Sequence, residues 1–534
     1  MSKGKKNAKE KSTGTSKISL VFGKITEFLR SRICAYILTG IHVALTLALL
    51  SLVLYINMLP VKYFVPICFV LLVICAVAFL FAYTKKLKPV GKLMSLFMIA
   101  VTVVGIYFAY IASGTFENIA GADTKTDVVN VYVMKADKAE DLTSASDYTF
   151  GIMSVLDREN TDKTIETIEQ KLGSEIELKE YEGYLQLVEA LYDSEVDAII
   201  MNSAYVANIE ENEEFASFAS LTRVLMQTTH TTQIDVDNSI DVDKSVFAMY
   251  LSGIDVEGSV SKTSRSDVNI IAIINPTTRQ ILLINTPRDY WVPLSISKGT
   301  EDKLTHAGIY GIDVSMDTLE MLYDVELDYF FRINFTGFEE VIDALGGVNV
   351  YSEYSFTCQE GNYKFNKGYN KMNGNQALGF VRERYAFKDG DNQRGKNQMA
   401  VIQAIADKAV SPAFLNNFTA LMKSIENSFE TSMSSSQISS LVRMQLNEGG
   451  SWDVLTYAVS GKGAKMPVYS MSTEQYVMIP SEKDIKKAKK LIDMVYEGKI
   501  LTEDIIENLD SNSSNNSNSN NSNKETEKDT TKKN

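Results

Sequence analysis

Three long apolar stretches near the N-terminus constrain the fold of this chain more than any other feature of its sequence. They cover about residues 33–59, 63–83 and 93–112, and none contains an acid, a lysine or an arginine. A helix needs about 20 apolar residues to span the hydrocarbon core of a bilayer. The first run begins late and is too long for the apolar part of a cleavable signal peptide. The sequence therefore predicts three transmembrane helices within residues 33–113.

The positions of lysine and arginine predict the orientation of these helices. Residues 1–114 carry 14 lysines and arginines against two acids, a net charge of +12 that leaves −26 for the remainder of a chain whose total is −14. Nine basic residues precede the first span and four lie between the second and third, whereas Lys62 alone lies between the first and second. Because basic residues accumulate on the cytoplasmic side, residues 1–32 are predicted to be cytoplasmic and the body beyond residue 114 to lie outside.

The composition of this body excludes two classes of function. Its strongly negative charge is unsuited to non-specific binding of nucleic acid, which requires a basic surface. The chain has three histidines and four cysteines, too few and too scattered for a zinc site of grouped ligands. Cys358 is the one cysteine beyond the apolar stretches, so the body cannot close an intrachain disulfide and depends on its hydrophobic cores.

Residues 126–225 alternate between strand-like and helix-like segments. Such alternation favours a small α/β accessory domain with a mostly parallel sheet. The pattern is similar to half of a solute-binding protein, but no motif specifies a ligand, so a spacer or a docking site is preferred to small-molecule binding. The predicted strands are 127–134, 148–153, 175–181 and 197–201, and the predicted helices are 162–172 and 184–192.

Two polar segments are predicted to have no core of their own. Residues 226–244 are interpreted as an acidic linker, since their aspartates lack the glycine and terminal glutamate spacing of a calcium-binding EF-hand loop. Residues 511–534 are rich in serine and asparagine and then in lysine, glutamate and threonine, a composition typical of disorder.

The segment 245–505 contains the candidate catalytic and ligand-binding residues, and its first part includes a predicted β-hairpin. Its strand-like runs are 246–251, 268–274 and 280–285. If Thr277 and Thr278 form a two-residue loop, Asp267 lies opposite Arg288 and on the same sheet face as Arg265. One end of the hairpin would then gather two arginines and a carboxylate. A purely structural ion pair between Asp267 and Arg288 is the alternative.

Helical patterns follow the hairpin. Thr336-Gly-Phe-Glu339 has the spacing of a capping box, and Gly346-Gly347 would end the helix that it opens. A short helix is predicted to begin at Asn373-Gly374, and another near Gln398.

Three more arginines, Arg382, Arg384 and Arg394, flank these helices in an otherwise acidic body. Clustered arginines favour bidentate capture of phosphate or pyrophosphate. Asp255 and Asp267 add carboxylates suited to Mg²⁺, or to Mn²⁺ in its place, which bind through one or two carboxylates and phosphate oxygens. Together these groups indicate phosphoryl transfer.

In order and spacing over about residues 245–410, the motifs resemble the LytR–CpsA–Psr (LCP) family. The three-span head and the extra domain are similar, more loosely, to the CpsA-like branch tied to capsule biosynthesis. The matching motifs are Gly253-Ile254-Asp255, Arg265-Ser266-Asp267, Thr286-Pro287-Arg288-Asp289, Lys303-Leu-Thr-His306, Asn334-Phe-x-Gly-Phe, Asp343-x-x-Gly346-Gly347, Gly374-x-x-Ala377, Arg382-x-Arg384 and Asp391-x-x-Arg394 with Gln398.

The resemblance implies an LCP-type α/β domain over residues 245–505, with a C-terminal extension and a central sheet flanked by helices. It implies a multi-pass protein of the bacterial cell membrane that transfers a glycopolymer, such as teichoic acid or capsule, from a polyprenyl-pyrophosphate carrier to peptidoglycan. Proteins of polymer synthesis are possible partners. The implied pyrophosphate-binding residues are Arg265, Arg288, Lys303, Arg382, Arg384, Arg394 and Gln398, with Asp255 and Asp267 at the metal and apolar core residues around the polyprenyl tail.

Some roles stay open at this stage. Asp267 and Arg288 are expected at the catalytic centre, and Asp289 is a candidate general base. His306 is expected to be structural. Ser264 and Asn397 stand where the family often has a basic residue, so the head-group affinity or the lipid ligand can differ. A non-catalytic regulator that binds the same lipid, and a solute sensor acting through residues 126–225, are the alternative functions.

Overall fold

The computed structural model describes residues 27–236, 239–254, 260–409 and 428–509. Most of the predicted basic segment 1–32 and all of the predicted disordered tail 511–534 lie outside these ranges. The described residues form two compact units, one of residues up to Phe116 with Ile438–Gly449, and the other of Glu117–Gln437 with the residues from Gly450 onward.

The first unit contains three helices that are long and apolar enough to cross a membrane: α1 (Arg32–Ile56), α2 (Val61–Tyr83) and α3 (Lys88–Ile119). Ser31 caps the start of α1 by accepting a hydrogen bond from the Cys34 amide. Large apolar side chains such as Phe69 and Leu93 remain 69% exposed, as expected of surfaces that lipid covers. The prediction of membrane anchoring is confirmed, and the orientation stays a prediction.

The second unit begins with the accessory domain, a five-stranded sheet in the order β3-β2-β4-β1-β5 with α4 on one face and α5 on the other. Strand β2 pairs in parallel with β3 and β4, but β1 is antiparallel to both β4 and β5. The expectation of a mostly parallel sheet is therefore wrong. The elements are β1 (Thr124–Met134), β2 (Thr149–Met153), α4 (Arg158–Leu172), β3 (Glu177–Tyr181), α5 (Tyr184–Tyr192), β4 (Ala198–Asn202), α6 (Val206–Glu210), α7 (Phe218–Leu221) and β5 (Thr222–Gln233).

Strand β5 corrects the predicted linker. It pairs with β1 along its whole length, as far as Thr124 opposite Gln233, so residues 226–233 belong to the sheet. The segment is polar because β5 lies at an edge and alternates between exposed and partly buried side chains. Threonine suits such a half-exposed strand. The prediction that residues 226–233 belong to a linker is therefore wrong, because a polar composition is also compatible with an edge strand.

Asp157, at the start of α4, is a partly buried carboxylate of the accessory domain. It accepts hydrogen bonds from the side-chain amides of Asn160 (2.7 Å) and Asn202 (2.9 Å). Burial raises its pKa from the ordinary 3.8 to about 6. Folding therefore favours its protonated form, and the stability of the domain falls as the pH rises from about 4 to about 6.

Replacing Asp157 by asparagine should stabilise the protein at neutral pH but not at pH 4. The pKa shift corresponds to about 3 kcal/mol, and losing one of two accepted hydrogen bonds offsets about 1 kcal/mol. Asparagine also tolerates the left-handed backbone of this position (φ 50°). Thermal unfolding as a function of pH measures the effect. Asp162→Asn, an exposed position on α4, is the control, and an equal gain in both variants would contradict the prediction.

The part of the second unit that corresponds to the predicted LCP-type domain is called the catalytic domain here, after that prediction. It is built on a six-stranded sheet in the order β16 (Phe429–Thr431), β11 (Tyr329–Asn334), β6 (Phe247–Ile254), β7 (Ser266–Asn275), β8 (Gln280–Asn285) and β17 (Asp453–Ala458). Helices α9 and α14 pack on one face through residues such as Leu319 and Leu491. Met399 of α12 packs on the other face, against Ile270 and Leu283. The predicted central sheet flanked by helices is confirmed.

The bounds of the catalytic-domain strands and helices are as follows. The strands are β6 (Phe247–Ile254), β7 (Ser266–Asn275), β8 (Gln280–Asn285), β9 (Trp291–Pro293), β10 (Glu301–Lys303), β11 (Tyr329–Asn334), β12 (Val348–Ser352), β13 (Phe356–Thr357), β14 (Lys364–Phe365), β15 (Gly368–Met372), β16 (Phe429–Thr431), β17 (Asp453–Ala458), β18 (Gly461–Val468) and β19 (Met471–Pro480). The helices are α8 (Leu304–Tyr310), α9 (Ile312–Tyr323), α10 (Phe335–Ala344), α11 (Gly374–Arg382), α12 (Asp391–Ala409), α13 (Ser435–Glu448, mainly in the first unit), α14 (Glu482–Tyr496) and α15 (Glu503–Asn508).

The predicted hairpin register is confirmed. Asn275 pairs with Gln280, and Ile270 pairs with Asn285, as a two-residue loop at Thr277 and Thr278 requires. The Asn275 side chain accepts hydrogen bonds from the amides of both loop residues.

Two helix starts differ from the predictions. Asn334, rather than Thr336, caps α10 by accepting a hydrogen bond from the Gly337 amide at 2.7 Å. A capping box is present instead at Asn373 and Gln376 of α11. Helix α12 begins at Asp391, seven residues before the predicted start near Gln398. The prediction is too late because the first two turns of the helix are polar and show no apolar periodicity in the sequence.

The accessory domain packs directly on the catalytic domain within the second unit. Asp127 of β1 accepts a hydrogen bond from the Thr263 hydroxyl at 2.9 Å, and Lys125 forms an ion pair with Asp313 at 2.8 Å. Accessory residues such as Leu187 share a core with Val477 of the β18–β19 hairpin. The accessory domain and the catalytic domain are therefore packed against each other through polar contacts and a shared hydrophobic core.

Candidate functional site

A polar cleft of about 600 Å³ lies at the end of the β7–β8 hairpin. Every predicted site residue that the structure describes lines it. Asp255, the remaining predicted site residue, lies outside the described residues. The predicted residues in the cleft are Arg265, Asp267, Arg288, Asp289, Lys303, Arg382, Arg384, Arg394 and Gln398.

Separate elements deliver these side chains to one place. Asp267 is the second residue of β7, and Arg288 follows the end of β8. Lys303 ends β10, which pairs with β9. Arg394 and Gln398 both belong to α12, and their spacing of four residues places them on the same face of the helix.

Arg288 is at the centre of the charged network. Its Nη1 lies 2.6 Å from Oδ1 of Asp267, and its Nε lies 3.8 Å from Oδ1 of Asp289. Its side chain is 11% exposed. Burial alone would lower the pKa of this guanidinium, but Asp267, Asp289 and Glu211 outweigh burial and raise the pKa above its usual value. Arg288 is therefore a permanent cation that lines the cleft.

Arg382, Arg384 and Arg394, which belong to or follow helices α11 and α12, also line the cleft. Arg394 is paired with Asp391, a carboxylate whose pKa is raised by burial although Arg394 opposes that shift. Arg382 lies 3.1 Å from a carboxylate oxygen of Glu360 and stacks over the Phe335 ring at 4.5 Å. The cleft is thus lined by cations from both the strands and the helices, which suits a multiply charged anion.

An apolar cavity of about 320 Å³ shares four lining residues with this cleft: Val268, Phe335, Val381 and Gln398. It lies between the sheet and helices α10 to α12. Its further lining residues include Met249, Leu251, Phe331, Ile333, Phe338, Val341, Leu378, Ile402, Ile405 and Ala406. A charged cleft that borders an apolar cavity suits a ligand with an anionic head and a hydrocarbon tail.

The family model of LytR_cpsA_psr matches residues 211–492, just over half of the chain. The chain belongs to the LytR–CpsA–Psr family. This confirms the resemblance inferred from the motifs. Whether the chain belongs to the CpsA-like branch of the family stays a prediction.

Curated relatives of this LCP protein include transferases of two bacilli. It is 33% identical over 199 residues to the polyisoprenyl-teichoic acid–peptidoglycan teichoic acid transferase TagU of Bacillus licheniformis, an alignment that covers 37% of this chain and 63% of the relative. It is 28% identical over 256 residues to TagU of Bacillus subtilis, with 47% of this chain and 81% of the relative covered.

Solved structures of LCP proteins are also similar. The crystal structure of Bacillus subtilis TagV matches with a TM-score of 0.41 and 22% identity, over 48% of this chain and 99% of that one. The structure of TagT with bound octaprenyl pyrophosphate matches with a TM-score of 0.37 and 26% identity, over 48% of this chain and 92% of that one.

The carboxylates of this LCP site determine what metal it could hold. Within the residues that the structure describes, no group of three or more histidines, cysteines, aspartates or glutamates is placed to hold a metal ion. A Mg²⁺ ion does not require such a group, because one or two carboxylates and substrate phosphate oxygens suffice. Asp267, 17% exposed and lining the cleft, fits that requirement.

His306 and Glu211 differ in how well the sequence predicts them. His306 is fully buried, with Nδ1 2.7 Å from Oδ1 of Asp302, which agrees with a structural role. Glu211 of the accessory domain lines the cleft and was missed from the sequence. It lies in the acidic stretch Glu-Asn-Glu-Glu, where nothing distinguishes it from its neighbours.

Proposed function

We propose that this protein is an LCP-type phosphotransferase that moves a phosphate-linked glycopolymer from a polyprenyl-pyrophosphate carrier to peptidoglycan. The observation that carries the proposal is the arginine-lined cleft next to an apolar cavity, with Val268, Phe335, Val381 and Gln398 common to both. The names of the TagU relatives support the same reaction.

The pyrophosphate would lie between the two groups of cations. Arg265, Arg288 and Lys303 would contact it from the sheet side, and Arg382, Arg384 and Arg394 from the helix side. Fixed cations of this kind stabilise the charge that develops on phosphoryl oxygens in the transition state. The polyprenyl tail would lie in the adjoining apolar cavity.

The transfer exchanges one phosphorus–oxygen bond for another. A hydroxyl of peptidoglycan attacks the phosphorus that carries the polymer, and the bond from that phosphorus to the bridging oxygen breaks. Polyprenyl phosphate leaves, and a phosphodiester joins polymer to peptidoglycan. Asp289 is our candidate to accept the hydroxyl proton, since its side chain lines the cleft, 3.9 Å from Nζ of Lys303.

We include Mg²⁺, or Mn²⁺, in the proposal. Asp267 would hold it, together with Asp255, and the ion would neutralise charge on the pyrophosphate when bound. We expect the polymer to be a teichoic acid, a capsule polysaccharide or a similar glycopolymer. The proposed reaction takes place outside the membrane, in keeping with the orientation that the basic residues predict.

Mass spectrometry of lipid that co-purifies with the full chain in detergent tests the proposal. We expect polyprenyl phosphate or polyprenyl pyrophosphate, because head and tail each have a site. An extract that contains only membrane phospholipid would contradict it. A polyprenyl lipid bound without any transfer to peptidoglycan in a reconstituted assay would favour the non-catalytic regulator instead.

A further inference from the structure

Glu211 brings a negative charge from the accessory domain into the cation-lined cleft. Its Oε1 contacts Nη1 of Arg265 and lies 3.4 Å from Nη2 of Arg288, and its Oε2 lies 3.7 Å from Nζ of Lys303. One carboxylate thus contacts the three cations on the sheet side of the cleft. These are the same three side chains that the proposed function assigns to pyrophosphate.

The backbone that carries Glu211 is firmly held. Glu211 follows directly after α6, in which Asn208 and Ile209 are fully buried. The neighbouring Glu210 accepts a hydrogen bond from the Ala219 amide at 3.0 Å. The side chain is therefore directed into the cleft by a packed segment of the accessory domain.

The charges explain what this contact does. Burial raises the pKa of Glu211, but Arg265, Lys303 and Arg288 outweigh burial and lower the pKa, so the group is an anion at neutral pH. A carboxylate offers a guanidinium two oxygens, as a phosphate does. With Asp267 and Asp289, Glu211 balances the three cations, and without it the group would carry one net positive charge.

We propose that Glu211 is an internal competitor of the substrate pyrophosphate, so that the accessory domain sets the affinity of the anion site. This inference rests on the proposed function, since it concerns the same cations. A bound phosphoryl group must displace the Glu211 carboxylate from Arg265, Arg288 and Lys303. The accessory domain is thereby a determinant of affinity and not only a spacer.

Calorimetric binding of inorganic pyrophosphate to the full chain in detergent tests the inference. Glu211→Gln should bind it at least about tenfold more tightly than the unaltered protein, because one close unfavourable charge pair with the ligand is removed. Glu213→Gln is the matched control: it makes the same change of charge at an exposed neighbouring position and should leave the affinity unchanged. Melting temperatures of both variants verify that they are folded.

Unchanged or weaker binding by Glu211→Gln, or no pyrophosphate binding by any variant, would overturn the inference. Geranylgeranyl pyrophosphate, measured in parallel, separates this failure from that of the proposed function. If the lipid binds but Glu211→Gln has no effect on either ligand, the function stands and the inference fails. If Glu211→Gln binds inorganic pyrophosphate more tightly but the lipid binds to none of the proteins, Glu211 competes with anions at this site, but the proposed function fails.

Discussion

Replacing Arg288 by alanine should reduce polymer transfer at least about 100-fold, the loss typical of removing one fixed donor to a developing charge. Arg288 is only partly exposed, is permanently charged and is central to the network with Asp267 and Asp289. Its removal would take away a pyrophosphate contact and leave Asp267 without its 2.6 Å partner. A reconstituted assay with lipid-linked polymer and peptidoglycan measures the rate.

Two further variants make this result specific. Arg288→Lys keeps the charge but loses the planar fork that binds phosphate bidentately, so it should fold normally and still transfer slowly. Arg158→Ala removes a partly exposed arginine of α4 that lies outside the cleft and pairs with Asp162 and Glu180, and should transfer at the full rate. Transfer by Arg288→Ala at the rate of Arg158→Ala would exclude the proposed role of Arg288.

Filling the apolar cavity should separate lipid binding from head-group binding. Ala406 lines the cavity, and Ala406→Trp would place an indole where the polyprenyl tail is expected. Excluding four buried methylene groups forfeits about 3 kcal/mol, so geranylgeranyl pyrophosphate should bind roughly 100-fold more weakly. Inorganic pyrophosphate should bind as before, because the cations of the cleft are untouched.

Gln403→Trp is the control for this variant. It adds the same indole to the same helix at an exposed position and should not change the affinity for either ligand. Equal lipid affinity in Ala406→Trp and the unaltered protein would show that the cavity does not receive the tail. A parallel loss of inorganic pyrophosphate binding would show that the substitution has disturbed the cleft itself.

Local patterns explain why much of the fold could be predicted. The register of β7 and β8 follows from a two-residue loop at Thr277 and Thr278, and beyond the paired residues Asp267 and Arg288 form the ion pair that this register predicts. The membrane helices follow from length and the absence of charge. The beginning of α12 could not be predicted in this way, since Asp391 and the polar residues after it form helix without an apolar period.

Chain segments that are distant in sequence account for what was missed. Residues 226–233 of strand β5 have the composition of a linker, and their pairing with β1 cannot be predicted locally because it joins residues about a hundred positions apart. The contact of Glu211 with Arg288 likewise depends on how the accessory domain packs on the catalytic domain. Neither interaction leaves a local signal in composition or spacing.

The sequence by itself determined the membrane anchoring, the α/β class and the set of arginines, because these depend on runs, periods and motifs of neighbouring residues. Only the tertiary structure decided that the arginines in or next to β7, β8, α11 and α12 line one cleft, that an apolar cavity adjoins it, and that Glu211 contacts the cations of the cleft. These features arise from packing between elements far apart in the chain, and electrostatic contacts of a few ångströms are set by that packing rather than by local sequence.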